Sequence, residues 1–397
     1  MMYITKAIKV DKNCTGCNFC LYICPKNAIS NEVDQDGFWK PCIDEGLCVN
    51  CGRCVAMCPV INGKKNYQFD KPVVFAMWNQ NVMVRQNSSS GGIFSLIADL
   101  IISNGGSVFG AAYDDDFSIH HIRVDKKEEL PYLRGSKYVQ SSISNSLYEA
   151  MYSDLKSGRS VMFTGTPCQV AAVNQFVKSD SFTEQEKSSL LTVDVICHGV
   201  PSPKAWQSYL NEIRSCGKEI MKINMRDKTH GWDKFELCID FSDGSSQSKW
   251  FNIDSWGKSF INNIFLRSSC YDCQFKGEIR NADITLGDFW GAARGKYRKY
   301  DDNDRGTSVV LINSEKGKNV ITELTNCFKE EISYEFLLEH LYALFRSSTC
   351  HSKRDKAFRM LETDEFSTIV NRMTKKPIIL KGKTVFNRII KNLRGDD

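Results

Sequence analysis

Eight of the seventeen cysteines fall in two runs of the same design within the first sixty residues. One is Cys14-x-x-Cys17-x-x-Cys20-x-x-x-Cys24-Pro25, and the other is Cys48-x-x-Cys51-x-x-Cys54-x-x-x-Cys58-Pro59. Three thiolates spaced by three suit a tight loop around three corners of an iron–sulfur cubane, and the cysteine before proline ligates the neighbouring cubane. The spacing predicts one 4Fe–4S cluster on Cys14, Cys17, Cys20 and Cys58, and a second on Cys48, Cys51, Cys54 and Cys24. Such a pair serves to pass single electrons. Zinc sites use paired C-x-x-C knuckles rather than a four-cysteine run closed by proline. A disulfide framework belongs to secreted chains, and residues 1–10 carry no secretory pattern.

The elements around these loops follow from pattern. Gly16 and Gly52 stand where backbone must approach sulfide. Residues 29–33 and 38–43 flank Asp34-Gln35-Asp36-Gly37 and predict a β-hairpin. Cys42 alternates within its second strand and is expected to be a small buried residue. Residues 1–64 therefore read as an α+β ferredoxin-like module, followed by a polar, Gly-containing linker near residues 62–66.

From residue 73 short apolar strands alternate with helical stretches. Strands are expected over 73–78, 107–113, 119–124, 160–163, 190–196, 235–241, 282–286 and 307–312, and helices over 92–103, 144–157 and 169–178. That alternation predicts a larger α/β domain with a mostly parallel or mixed sheet over residues 70–350. The stretch from Glu331 reads as helical and polar, leading into a helical C-terminal extension over 351–397. Within it, residues 381–394 have helical apolar spacing with basic residues between, which suits docking on the chain's own domain or on a partner or membrane surface.

Composition sets outer bounds. A length of 397 residues predicts two or three domains, and 42% hydrophobic content supports a sizeable core. No run of eighteen apolar residues occurs, so no transmembrane helix is expected. A net charge of +5 gives no case for nucleic acid. Abundant thiols with no secretory pattern in residues 1–10 predict a reducing cytoplasm, and oxygen-sensitive clusters suit an anaerobe.

Three motifs in the large domain fall beside expected strands. Residues 161–164 run into Gly165-Thr166-Pro167-Cys168-Gln169, and residues 193–196 into Cys197-His198-Gly199. Cys270-x-x-Cys273 precedes the strand that carries Gly287-Asp288-Phe289. Ligands gather at the carboxyl ends of strands in open α/β sheets. Cys168, Cys197, Cys270 and Cys273 could thus hold a third cluster, although zinc or four unrelated thiols explain them equally well. Cys216, Cys238, Cys327 and Cys350 read as structural. Ser88-Ser89-Ser90-Gly91-Gly92 opens onto a helix and could cradle a flavin phosphate, or be a plain serine N-cap. Lys137, within Arg134-Gly135-Ser136-Lys137-Tyr138, could pair with that anion or be a solvated loop lysine. His198 is the histidine best placed for proton transfer, with a hydrogen-bonded structural role as the alternative. There is no G-x-G-x-x-G after a strand and no Walker A run, so neither a Rossmann nicotinamide site nor an ATPase is supported.

Taken in order, Ser89-Ser90-Gly91-Gly92, Gly135-Ser136-Lys137-Tyr138, Thr164-Gly165-Thr166-Pro167-Cys168-Gln169, Cys197-His198-Gly199, Cys270-x-x-Cys273 and Ala282-Asp283-Ile284-x-x-Gly287-Asp288-Phe289 resemble the coenzyme F-420 hydrogenase/dehydrogenase beta-subunit family. The resemblance covers roughly residues 70–350, with the ferredoxin module as a common N-terminal addition. It implies FAD with a 4Fe–4S cluster beside it, favouring Cys168, Cys197, Cys270 and Cys273 as ligands and the Ser-Gly-Gly turn, Lys137 and Thr164-Gly165-Thr166 as flavin contacts. No residue set specifying a deazaflavin pocket is evident. The implied activity is an iron–sulfur flavoprotein oxidoreductase. It would exchange electrons with a donor or acceptor protein, such as ferredoxin or a partner oxidoreductase, and act on a small organic substrate, with polysaccharide metabolism one setting. The alternative is an electron-transfer subunit without a substrate of its own.

Overall fold

The computed structural model of the chain describes residues 10–63, 71–178, 182–291 and 295–375. The linker beyond Gly63 and the basic segment 381–394 lie outside the described residues. Strands β1 (Ile29–Val33) and β2 (Trp39–Ile43) form the expected antiparallel hairpin. Asp34 closes its turn, its Oδ1 accepting from the Asp36 and Phe38 amides. Gly16 and Gly52 adopt left-handed φ of 68° and 74°, which a side chain would strain. Cys42 is half-buried; its neighbour Pro41 is the buried residue of β2.

The large domain is built on β3 (Val73–Asn79), β4 (Ser107–Tyr113), β5 (Ile119–Val124), β6 (Val161–Gly165), β7 (Leu190–Val195), β11 (Ile284–Asp288), β12 (Ser308–Ile312) and β13 (Cys327–Ile332). Their order across the sheet is β13-β3-β12-β11-β7-β6-β4-β5. The sheet is mixed: β11, β7, β6 and β4 run parallel, and the flanking pairs are antiparallel. Its parallel strands are mostly apolar because helices cover both faces, with Thr192, Asp194 and Thr285 buried among them. On the sheet pack α1 (Ile93–Ser103), α2 (Asn145–Lys156) and α3 (Pro167–Lys178), whereas α4 (Pro203–Arg214) packs with a separate, smaller sheet. A second sheet, β10-β9-β8, is antiparallel, with β8 at Ile220–Asp227, β9 at Glu236–Phe241 and β10 at Ser246–Trp250. β8 and β10 were not expected from sequence, because their alternation is broken by polar and charged residues. Glu331 lies in β13, an edge strand, rather than in a helix.

The core crosses the expected module boundaries. Phe19 and Ile23 pack with residues of α2 and α3, and Phe38 packs with α4, β8, β9 and the helix Phe366–Thr374. Cys216 and Cys350 are exposed rather than structural, since each sits in a surface connection.

Candidate redox site

The structure brings the N-terminal cysteines into two neighbouring groups. Cys24, Cys48, Cys51 and Cys54 line one cavity of about 300 Å3. Cys14, Cys17, Cys20 and Cys58 crowd each other beside it. Burial pushes the Cys17 thiol up to about 12, with Cys58 and Cys14 adding repulsion. The Cys20 thiol is raised by burial and then by Cys17, Cys14, Cys58 and Cys54. Cys54 therefore touches both sets. Backbone amides already point at sulfur: Gly16 N–H lies 3.4 Å from Cys14 Sγ and Ala28 N–H 3.3 Å from Cys24 Sγ. Among the described residues no three His, Cys, Asp or Glu side chains close on a single ion. Buried thiols that repel one another suit a shared cationic iron core, whose binding must release their protons.

The other four cysteines also converge. Cys168 follows β6, Cys197 follows β7, and Cys270 and Cys273 come from the turn after Leu266; all four line one small cavity. Cys168 is raised by burial and by Cys273, Cys197 and Cys270. Burial pushes Cys270 up to about 12, opposed in part by Arg267. The Val200 amide donates to Cys270 Sγ at 3.4 Å. Asn13 and Thr15, beside Cys14, share this wall, so the third thiol set abuts the first.

A cavity of about 1000 Å3 opens on the far side of Cys168 and Cys197. It lies at the carboxyl ends of β6, β7 and β11, where ligands gather in such sheets, and β8 and β10 cover it. Ser88, Ser89, Ser90, Gly92, Lys137, Thr164, Gly165, Thr166 and His198 all line it. Gly91 does not. It packs between strands, its amide donating to Ser308 Oγ and its carbonyl accepting from Asn79 N–H. The serine N-cap reading fails: the cap of α1 is Gly92 at φ 81°, with no side-chain cap bond. Ser88 and Ser90 donate to the Val84 and Thr307 carbonyls, while Ser89 Oγ accepts from Ser136 N–H. The first amides of α1 are thus left without a side-chain cap at the cavity edge, a setting that favours an anion.

Lys137 is not a solvated loop lysine. Its amine donates to the Arg134 and Gly135 carbonyls, lies over the Tyr113 ring, and is pushed down to about 7 by burial. Gln169 shapes the next turn, accepting from Thr166 N–H at 2.9 Å and donating to the Ser141 carbonyl. His198 Nε2 sits 2.6 Å from Asn263 Oδ1, and Asn263 Nδ2 donates to the Thr349 carbonyl. That amide orientation makes Nε2 the donor, and burial lowers the His198 pKa.

Sequence reasoning missed several groups here. Arg226 is buried and forks onto Asp288, with two bonds of 3.0 Å, while donating to the Ser89 carbonyl and Tyr138 hydroxyl. Lys228 donates to the Arg85, Ser90 and Arg305 carbonyls, and burial pushes it down to about 7. Together they hold the serine turn in place. His121, pushed down to about 4 by burial, donates from Nε2 to the Thr164 carbonyl and accepts from Ser141. Only the Gly287-Asp288 motif carried a sequence signal for any of these.

Residues 13–62 match the family model for a 4Fe-4S dicluster domain. Residues 158–333 match the model for the C terminus of the coenzyme F420 hydrogenase/dehydrogenase beta subunit. The chain thus joins a region that matches a dicluster domain to one that matches the C-terminal part of that beta subunit. The dicluster match supports iron–sulfur clusters in the N-terminal region. No curated protein matches the chain. One similar solved structure is a xenon derivative of the F420-reducing [NiFe] hydrogenase complex from Methanosarcina barkeri. It shares 14% identity and a TM-score of 0.46, over 78% of this chain and 92% of that one. A likeness at that level carries no functional weight.

Proposed function

We propose that the chain is an iron–sulfur flavoprotein oxidoreductase, with a third 4Fe–4S cluster on Cys168, Cys197, Cys270 and Cys273 and FAD in the large cavity. The observation that carries this reading is the double membership of Cys168 and Cys197, which line both the third thiol set and the cavity. Adjacency then runs from the outer thiols through Cys54 and Cys20 to the inner set, through Thr15 to the third, and on to the cavity. Flavin bound there would supply the exchange between one-electron and two-electron chemistry. The chain's own residues fit that ligand. The uncapped start of α1 and Lys137 suit its pyrophosphate, Thr164-Gly165-Thr166 flank it, and a volume near 1000 Å3 also leaves room for an organic substrate.

His198 is the proton donor we assign. It lines both walls, and Asn263 fixes its ring. Cys51 is exposed at the outer end, so a ferredoxin or partner oxidoreductase would exchange electrons there. Among the described residues no helix is long and apolar enough to cross a membrane. A reducing cytoplasm suits the thiols, and polysaccharide metabolism would supply a substrate of suitable size.

Anaerobic purification or reconstitution tests the reading. About twelve irons, as many sulfides and one flavin per chain are expected, from three cubanes. Eight irons without flavin would leave only the dicluster half standing. Turnover of an organic acceptor by the isolated chain with dithionite separates an enzyme from a relay subunit, which would need its partner enzyme added.

A further inference from the structure

Five arginines are buried among the described residues: Arg85, Arg226, Arg267, Arg280 and Arg354. Four of them meet a carboxylate: Arg85 meets Asp302, Arg226 meets Asp288, Arg280 meets Asp194 and Arg354 meets Asp36. Arg267 is only 3% exposed and meets none. Its Nε donates to the Cys14 carbonyl at 2.7 Å, Nη1 to Gln140 Oε1 at 3.1 Å, and Nη2 to the Trp39 carbonyl at 2.8 Å. All three acceptors are neutral. Burying an ionised group is costly unless opposite charge lies near. Buried Lys228 can shed its proton, but a guanidinium cannot.

Thiols that become thiolates on binding iron lie on both sides of Arg267. Its side chain rests on the first cluster loop: a Cβ built on Gly16 would lie 2.9 Å from Nη1. Its backbone belongs to the third loop, the Arg267 carbonyl accepting from the Cys270 amide at 2.9 Å. It also lines the third thiol cavity. One cation thus stands between the set on Cys14 and the set on Cys270, and away from the outer set.

We propose that Arg267 is the shared counter-charge of these two iron–sulfur sites and raises both reduction potentials relative to the outer cluster. Its action on the third site rests on the proposed third cluster; its action on the Cys14 site does not. Reduction adds one electron to a cluster, and a fixed buried cation stabilises the more negative product. Electrons entering at the outer cluster are thereby drawn inward.

The test is a redox titration of the intact, anaerobically loaded protein, followed by electron paramagnetic resonance. Arg267→Gln should make both inner clusters about tenfold harder to reduce, about 59 mV for one electron, and leave the outer cluster unmoved. Arg267→Lys, titrated at pH 6 where buried lysines such as Lys228 still hold their proton, keeps the charge and should restore both. Gln140→Glu keeps the guanidinium and places a carboxylate against Nη1, so it should lower the same two potentials. It decides the matter if the Arg267→Gln chain fails to load. Unchanged inner potentials in the loaded Arg267→Gln protein or in Gln140→Glu would overturn the proposal, as would an equal drop in Arg267→Lys. A wild-type chain with eight irons counts against the third cluster alone, and the Cys14 cluster still tests Arg267.

Discussion

Lys137 is the residue where position and protonation meet. Its amine is pushed down to about 7 by burial, so it is part-charged near neutrality. Below that pH the ammonium is present and can pair with a phosphate that α1 also favours. Above it, anion binding must first recruit a proton. FAD affinity should therefore be nearly flat below about pH 6, then fall by up to about tenfold per pH unit above about pH 7, as expected for one coupled proton. Flavin fluorescence titrations across pH 6–9 measure this. Lys137→Met should bind more weakly at pH 6 and lose the slope; an unchanged slope would assign the proton to Lys228, whose pKa is displaced alike. The cysteines of these sites were legible because ligand chemistry fixes short local spacings. Arg226, Lys228 and Arg267 were not, since a buried cation is defined by neighbours from distant parts of the chain, such as the Cys14 carbonyl against Arg267.

Among the elements, the serine turn depends on strand packing as much as on its own hydroxyls. Gly91 sits where β3 and β12 meet: an added Cβ would lie 2.5 Å from the Met77 carbonyl and 2.7 Å from the Ser308 amide. Both atoms are backbone, so neither can swing aside. Gly91→Ala should cost about 1–3 kcal/mol of stability, in the range of overpacked cores, and loosen flavin while leaving the iron count intact. Thermal denaturation under argon and flavin retention on a desalting column report the two effects. A Gly91→Ala chain that bound FAD as tightly as wild type would remove the turn's strand register from the account. The sequence places β4 and β5 to the residue, because Asn104-Gly105-Gly106 and Asp114-Asp115-Asp116 punctuate them. It hides β8 and β10, whose charged residues answer to the cavity and solvent rather than to strand periodicity: Arg226 faces the cavity, and β10 is mostly exposed.

At the scale of the molecule, the dicluster region is bound into the rest by its own aromatic side chains. Phe19 is 1% exposed and packs with Tyr22, Tyr148 and Phe176 at centroid distances of 6.2, 5.4 and 6.3 Å. The hairpin turn is bolted at its other end, where Arg354 pairs with Asp36 at 2.8 Å and Lys204 donates to the Gln35 carbonyl. These contacts keep Thr15 in the wall of the third thiol set, so relay geometry and stability share one interface. Phe19→Ala should cost about 3–5 kcal/mol, as for other buried aromatic truncations. In wild-type protein, anaerobic urea unfolding should bleach the clusters and shift tryptophan emission in one transition, since six of the seven tryptophans lie beyond the dicluster region. In Phe19→Ala the bleaching should come first, and flavin reduction through the outer cluster should slow although iron is retained. Coincident transitions and an unaltered reduction rate in that variant would mean that the dicluster unit is held by its hairpin turn, and that Phe19 contributes only local packing.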